Sequence, residues 1–343
     1  MKSLDNLEIP LIQGGMGVGI SLGGLAGAVA AEGGMGVIST AFVGFREDDF
    51  YDDPLKASKR ALKKEIKKAR EISKGRGLIG INAMVATTHY EEMVKTACEE
   101  GIDCIISGAG LPLNLPKFTD DYDVLLAPIV SSRKAAALMK KSWMRNYQRQ
   151  PDFFVCEGSL AGGHLGFTKE QAASYTREDS LVQLKEVLEV AGDIPVFSAG
   201  GIFDSEDIRK SLAVGARGVQ IGSRFIACRE CDGTDQYQQV ILDAKAEDVV
   251  ILQSPVGMPG RGLKTELIDR VSRQGRIAPD KCLGCIKTCN PKETPYCISK
   301  ALIEAFYGNR QEGLFFCSSN VGKINEKTTV KELIGQLSEG WCK

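Results

Sequence analysis

Histidine is scarce in this chain: 343 residues contain two, His89 and His164. Any chemistry that needs an imidazole therefore has few places to be. Excess charge is also missing. Lys and Arg number 43 against 44 Asp and Glu, a formal net of −1, which removes the electrostatic case for a nucleic-acid partner. No apolar run reaches the ~18–20 residues of a membrane span. The first ten residues carry charges and no apolar core, so no signal peptide is expected. No internal repeat or low-complexity tract is evident.

What is present is ordinary for a soluble globule: 43% hydrophobic and 25% charged residues. Glycine is the exception, at 38 residues, above the usual ~7%. That excess implies tight turns or close approach of backbone to a ligand. Cysteines number 11, an odd count. Cys98, Cys104 and Cys156 sit in apolar runs, as small hydrophobes do. The set reads as that of a reducing, cytoplasmic compartment.

Short β-branched runs alternate with helical patterns. The runs are 11–13, 36–40, 78–82, 102–107, 124–130, 153–156, 195–199 and 218–221. They are apolar on both faces, as buried parallel strands are. Between them, apolar residues recur at helical spacing, as in Leu22, Leu25, Ala26 and Val29, or Leu181, Leu184 and Leu188. Thr88 to Glu91 reads as a capping box opening the third helix. Gly101 and Gly215 stand where helices end. The fold class is α/β, a (β/α)8 barrel first and a doubly wound sheet second. Residues 1–228 would form the barrel. Residues 229–343 would form a mainly helical extension with two helical patterns, 298–307 and 330–337, and little strand.

Two connections are long, 41–53 and 158–179, and in a barrel both lie on the rim that carries active sites. Within the first, residues 46–53 form an acidic stretch with two aromatics, Phe50 and Tyr51, read as solvated, with a rim lid as the alternative. Four motifs carry chemistry. Gln13-Gly14-Gly15-Met16-Gly17 closes the first strand, and its glycines would let backbone approach a planar ligand. Ser198-Ala199-Gly200-Gly201 after the seventh strand is matched by Gly222-Ser223-Arg224 after the eighth. Two such loops supply amide donors where barrels bind phosphate. The loop from Glu157 to Gly166 contains Gly162, Gly163 and His164, and a rim imidazole can act in proton transfer. His89 reads as a surface residue.

Together these pieces resemble the nitronate monooxygenase family, which includes the type II enoyl-acyl-carrier-protein reductases. The resemblance runs from about residue 9 to 270. Its marks include Gln13-Gly14-Gly15-Met16, Asn82 ending the third strand, Ser107-Gly108-Ala109-Gly110, Ala161-Gly162-Gly163-His164, Ser198-Ala199-Gly200-Gly201 and Gly222-Ser223-Arg224-Phe225. Each follows a different strand in the right order. The resemblance implies FMN at the barrel mouth. Gly14, Gly15, Met16 and Asn82 would line its isoalloxazine, Ser198, Gly200, Gly201, Gly222 and Ser223 would serve its phosphate end, and His164 would face substrate.

The fourth motif lies beyond the barrel: Cys282-x2-Cys285-x3-Cys289-x7-Cys297. Four thiolates in 16 residues can encircle one metal centre, a [4Fe–4S] cluster first and Zn²⁺ second. The expected activity is an FMN-dependent oxidoreductase using NAD(P)H to reduce an activated C=C such as an enoyl thioester. The alternative is oxidation of alkyl nitronates with O₂, and an iron–sulfur centre would favour the reductase. A non-catalytic flavin sensor and a flavin-free sugar-phosphate barrel are further readings. The partner is a small molecule or acyl thioester, with no nucleic acid and no membrane, and a homo-oligomer is left open.

Overall fold

The computed structural model describes residues 2–341. The strands are β1 (Leu11–Gln13), β2 (Met35–Ser39), β3 (Leu78–Met84), β4 (Cys104–Gly108), β5 (Leu125–Val130), β6 (Phe154–Glu157), β7 (Gly163–His164), β8 (Val196–Ala199), β9 (Gly218–Ile221), β10 (Val249–Gln253) and β11 (Pro259–Leu263). The helices are α1 (Gly23–Ala31), α2 (Pro54–Ser73), α3 (Tyr90–Glu99), α4 (Leu115–Phe118), α5 (Arg133–Tyr147), α6 (Lys169–Ser174), α7 (Arg177–Ala191), α8 (Ser205–Val214), α9 (Ser223–Ile226), α10 (Asp235–Leu242), α11 (Glu266–Gln274), α12 (Ile298–Phe306) and α13 (Val330–Ser338).

Eight strands, β1 to β6 with β8 and β9, close a parallel barrel. Closure is made by β1 on β9, with Leu11 opposite Val219 and Gln13 opposite Ile221. Successive residues explain why the strands read as apolar on both faces. Ile12, Val37, Val155 and Phe197 fill the barrel interior. Their neighbours Leu11, Ile38, Phe154 and Val196 pack outward under the helices. Phe153 and Phe197 meet edge to face inside, with centroids 5.2 Å apart. Gly218 makes room for them, since a Cβ there would lie 2.3 Å from the Pro10 carbonyl and 2.6 Å from the Phe197 ring.

The barrel is the fold expected from the strand runs, and α12 and α13 match the two helical patterns of the C-terminal region. Three details differ. Thr88 is no helix cap: α3 starts at Tyr90 without a side-chain cap, while Thr88 donates through N and Oγ1 to the carbonyls of Cys285 and Gly284. The residue is spent docking the C-terminal region onto the barrel. That region also holds more strand than its pattern promised. β10 and β11 form an antiparallel hairpin, and β11 pairs with β7, placing Gly260 opposite His164. Finally, α13 returns to the barrel wall. Val330, Leu333, Ile334 and Leu337 pack with Leu25 and Val29 of α1 and Ile208 of α8. The last helix of the ring is thus supplied after a long excursion through residues 229–329. No helix of the described residues is long and apolar enough to cross a membrane.

Candidate active site

The C-terminal ends of the barrel strands open into a cavity of about 220 Å³. The sequence-expected residues Gly14, Gly15, Met16, Asn82, Gly162, Gly163, His164, Gly200, Gly201, Gly222 and Ser223 all line it. They come from five barrel strand ends, those of β1, β3, β6, β8 and β9, which is how a barrel gathers distant residues. Ser198 does not reach the cavity. Alternation along β8 turns it outward, where it accepts from Ser211 Oγ at 3.3 Å, and Ala199 takes the lining position.

Backbone shape fixes the floor. A Cβ on Gly15 would sit 2.3 Å from Asn82 Cβ, so only glycine lets β1 and β3 bring these two residues together. Gly200 and Gly201 have φ of 91° and 75°, the region that side chains avoid. The loop after β8 is held from below by the C-terminal region: Asn320 Nδ2 donates to the Gly201 carbonyl at 2.7 Å. The loop after β9 is held likewise, with Ser318 N donating to Ser223 Oγ at 2.9 Å.

His164 stands on β7 at the cavity edge. Its Nε2 lies 2.7 Å from Ser254 Oγ, beyond the end of β10, and its ring packs edge-on to Phe316 at 5.1 Å. Burial penalises the imidazolium and pushes the pKa down to about 4. At neutral pH the ring is therefore uncharged and one of its nitrogens donates while the other accepts. The strand that carries His164 is pinned by Arg261, which is buried and donates to the carbonyls of Ser159 at 2.9 Å and Ala172 at 3.1 Å.

Glu157 ends β6 and lines the same cavity. Burial raises its pKa to about 7, so near neutrality it holds or releases a proton. Of the charged side chains along the wall, Arg224 is already engaged. It donates to the Phe203 carbonyl and to Gln336 Oε1, both at 2.8 Å. The remaining wall is largely apolar and comes from the C-terminal region, with Val256, Ile286, Ile298, Leu302, Phe316 and Ile324.

Glu157 opens the Gly-rich motif after β6, and the motif itself marks no role for it. A carboxylate at a strand's C-terminal end was the available signal. The C-terminal lining residues carried none: Ile298 and Leu302 read only as part of the helical pattern of α12, and Val256, Ile286, Phe316 and Ile324 reach the cavity through irregular chain.

The structure does not support the metal centre expected at Cys282, Cys285, Cys289 and Cys297. Among the described residues, no group of three or more His, Cys, Asp and Glu side chains could hold a metal ion. Cys282 is exposed, whereas Cys285, Cys289 and Cys297 are half-buried. Cys285 and Cys297 turn to one hydroxyl, Ser299 Oγ, at 3.7 and 3.2 Å. Burial pushes the Cys285 thiol up to about 11.

Comparison with known proteins places this geometry. The profile of the family described as nitronate monooxygenase matches residues 1–340. A probable nitronate monooxygenase of Staphylococcus saprophyticus is 27% identical over 199 residues, 57% of this chain and about half (54%) of that protein. One from Staphylococcus aureus strain Newman is 25% identical over 295 residues, 82% of each chain. Among solved structures, FabK from Thermotoga maritima superposes with a TM-score of 0.76 at 26% identity, covering 98% of this chain and 94% of its own. Nitroalkane oxidase from Streptomyces ansochromogenes shares the fold, with a TM-score of 0.73 at 19% identity over 98% of this chain and 97% of that one.

Proposed function

Because the chain belongs to the nitronate monooxygenase family and is an FMN-dependent oxidoreductase, we propose that it reduces an activated C=C, such as that of an enoyl thioester, with NAD(P)H as electron donor. The single observation that carries this reading is the charge of the cavity. His164 is neutral, Arg224 is occupied, and the unengaged ionisable side chain Glu157 is acidic. A neutral thioester enters such a site without penalty, whereas an anionic nitronate meets no free cation there.

The residues present fit FMN. Gln220 Oε1 is buried against the cavity with no hydrogen-bond partner, so a ligand donor would satisfy it. Beside Gly222, the nearest atom to an added Cβ would be Met16 Sδ at 3.7 Å, which leaves the loop after β9 open to a phosphate. Gly14, Gly15, Met16 and Asn82 would line the isoalloxazine, and Gly200, Gly201, Gly222 and Ser223 would hold the phosphate, with Gly162 and Gly163 at the loop edge. When bound there, FMN supplies hydride transfer between nicotinamide and the electron-poor carbon.

The chain's own residues handle the rest. With Ser254 donating to Nε2, the His164 ring carries its proton on Nδ1 and can stabilise charge building on the thioester oxygen. Glu157 in its protonated form can supply the proton that balances the hydride, so that C=C becomes CH–CH. The apolar wall excludes water from the exchange.

The test is steady-state turnover with two substrate sets. Oxidation of NADH or NADPH that depends on a 2-enoyl thioester and yields the saturated thioester supports the proposal. Oxygen uptake driven by propyl nitronate, without NAD(P)H and without enoyl reduction, would replace it with nitronate oxidation, the activity for which the Staphylococcus relatives are named.

A further inference from the structure

Phe42 stands between two cavities. With Ser39 and Ala41 it lines the large one, and with Thr40 it lines a second of about 40 Å³. The other side of the partition alternates in the same way, Ile286 facing the large cavity and Cys285 the small one. Phe50, Met93 and Leu283 contribute apolar walls farther back. Phe42 itself is half-buried, with a φ of 50°. A bulky residue in that region is uncommon and persists only where its surroundings hold it. The wall of the large cavity near Ile286 is apolar too, with Ile298 and Leu302. One aromatic ring on a conformationally costly loop position thus separates the small space from the apolar end of the large one.

We infer that the small cavity behind Phe42 is a subsite for the last methylenes of an unbranched acyl chain. The inference rests on the reading of the large cavity as the active site for a thioester and names the tail that substrate carries. Three observations argue for it. The space is small enough to select shape, with room for about three water-sized groups. No Lys, Arg, Asp or Glu side chain lines it, and its polar lining is limited to His89, Cys285 and the hydroxyls of Thr40, Ser58 and Thr87, so an aliphatic tail suits it better than one ending in a charge. Phe42 belongs to both spaces, so rotation of one ring would join them. A straight chain can pass where one ring turns aside, and a branched or aromatic tail is too wide. Each methylene moved from water into such a space raises affinity about fourfold.

The test is binding of saturated acyl-N-acetylcysteamine thioesters, from four to twelve carbons, to the flavin-loaded protein, followed by the flavin spectrum. These probes cannot be reduced, so binding is read without turnover. Affinity should climb with chain length and then level off. Ser58→Leu and Met93→Phe fill the small cavity from the side away from the large one. In both, the climb should stop about two or three methylenes earlier, costing at least tenfold for the longest chains and nothing for the four-carbon probe. Phe42→Ala should do the reverse and admit methyl-branched chains. Flavin content and thermal unfolding show which variants are folded. Chain-length profiles that coincide in the wild type and the folded variants would overturn the subsite, and so would a flat wild-type profile. If the profiles shift as expected but the wild type reduces no enoyl thioester, the subsite stands and the proposed reaction falls.

Discussion

His164 Nε2 lies 2.7 Å from Ser254 Oγ, across 90 residues of chain. The contact joins the barrel's rim to the hairpin of the C-terminal region, and β7 on β11 makes the joint continuous. An imidazole with one nitrogen tied and its charge suppressed by burial has a fixed orientation, which is what a hydrogen-bonding role near substrate needs.

Two variants separate that role from packing. His164→Ala should slow the reaction with the organic substrate by ~10²–10⁴ while leaving flavin content intact. Ser254→Ala should cost less, about tenfold, because the ring remains and only its orientation is freed. Stopped-flow rates with bound flavin check both. Equal, small losses would reduce His164 to a packing residue.

Glu157 predicts a pH dependence with a defined sign. Its folded pKa, about 7, lies above the ordinary 4.5, so the native state holds a proton that the unfolded chain has released. Stability from this group is full below about pH 4.5 and is lost as pH rises through about 7. Glu157→Gln should abolish that slope and raise stability at pH 8 by on the order of 2 kcal/mol. The same substitution should remove the falling limb of activity above pH 7, with a lower plateau. Denaturant midpoints and pH–rate profiles of the two proteins check this. His164 works in the opposite direction. Its depressed pKa gives stability that is present above its ordinary value of 6.5 and lost as pH falls toward 4.

The phosphate loops predict a contrast between two glycines. At Gly222 an added side chain meets nothing closer than 3.7 Å, so Gly222→Val should fold normally and project into the space that FMN phosphate would use. Flavin should be lost with little change in thermal stability. At Gly201 the φ is 75° and a Cβ would lie 2.5 Å from Leu160 Cβ. Gly201→Val should therefore destabilise the fold itself. Flavin content and thermal unfolding of the two variants give the comparison.

Arg261 predicts how tightly the rim is held. Truncation to Ala removes the donor from the Ser159 and Ala172 carbonyls and leaves buried acceptors unpaired, a loss of about 2–4 kcal/mol. The loop carrying His164 should then exchange its amide hydrogens faster than the barrel strands do. Hydrogen-exchange rates that stay at the wild-type values would contradict the anchoring.

The barrel was legible because its strands bury both faces. Ile12 and Leu11 are both apolar, although one fills the interior and the other meets the helices. The glycine-rich strand ends were legible because amide-lined turns need that residue. What the sequence hid was long-range. Ser254 lies just past β10, and Phe316 and Ser318 reach the site through irregular chain, with no periodicity to mark them. Ser198 was assigned from its motif, and the alternation of β8 turned it away. Thr88 had the right spacing for a cap, but the carbonyls of Gly284 and Cys285 claimed it. The cysteines had metal-like spacing, yet two of them turn to Ser299 instead.

The measurement that tests the central claim most directly is an anaerobic stopped-flow experiment on the flavin itself. The protein is reduced with one equivalent of NADH or NADPH and then mixed with a 2-enoyl thioester. Rapid return of the oxidised flavin spectrum, with one saturated thioester formed per flavin, is the predicted result. A flavin that NAD(P)H does not reduce, or that stays reduced in the presence of the enoyl thioester and reoxidises only when oxygen is admitted, would contradict it.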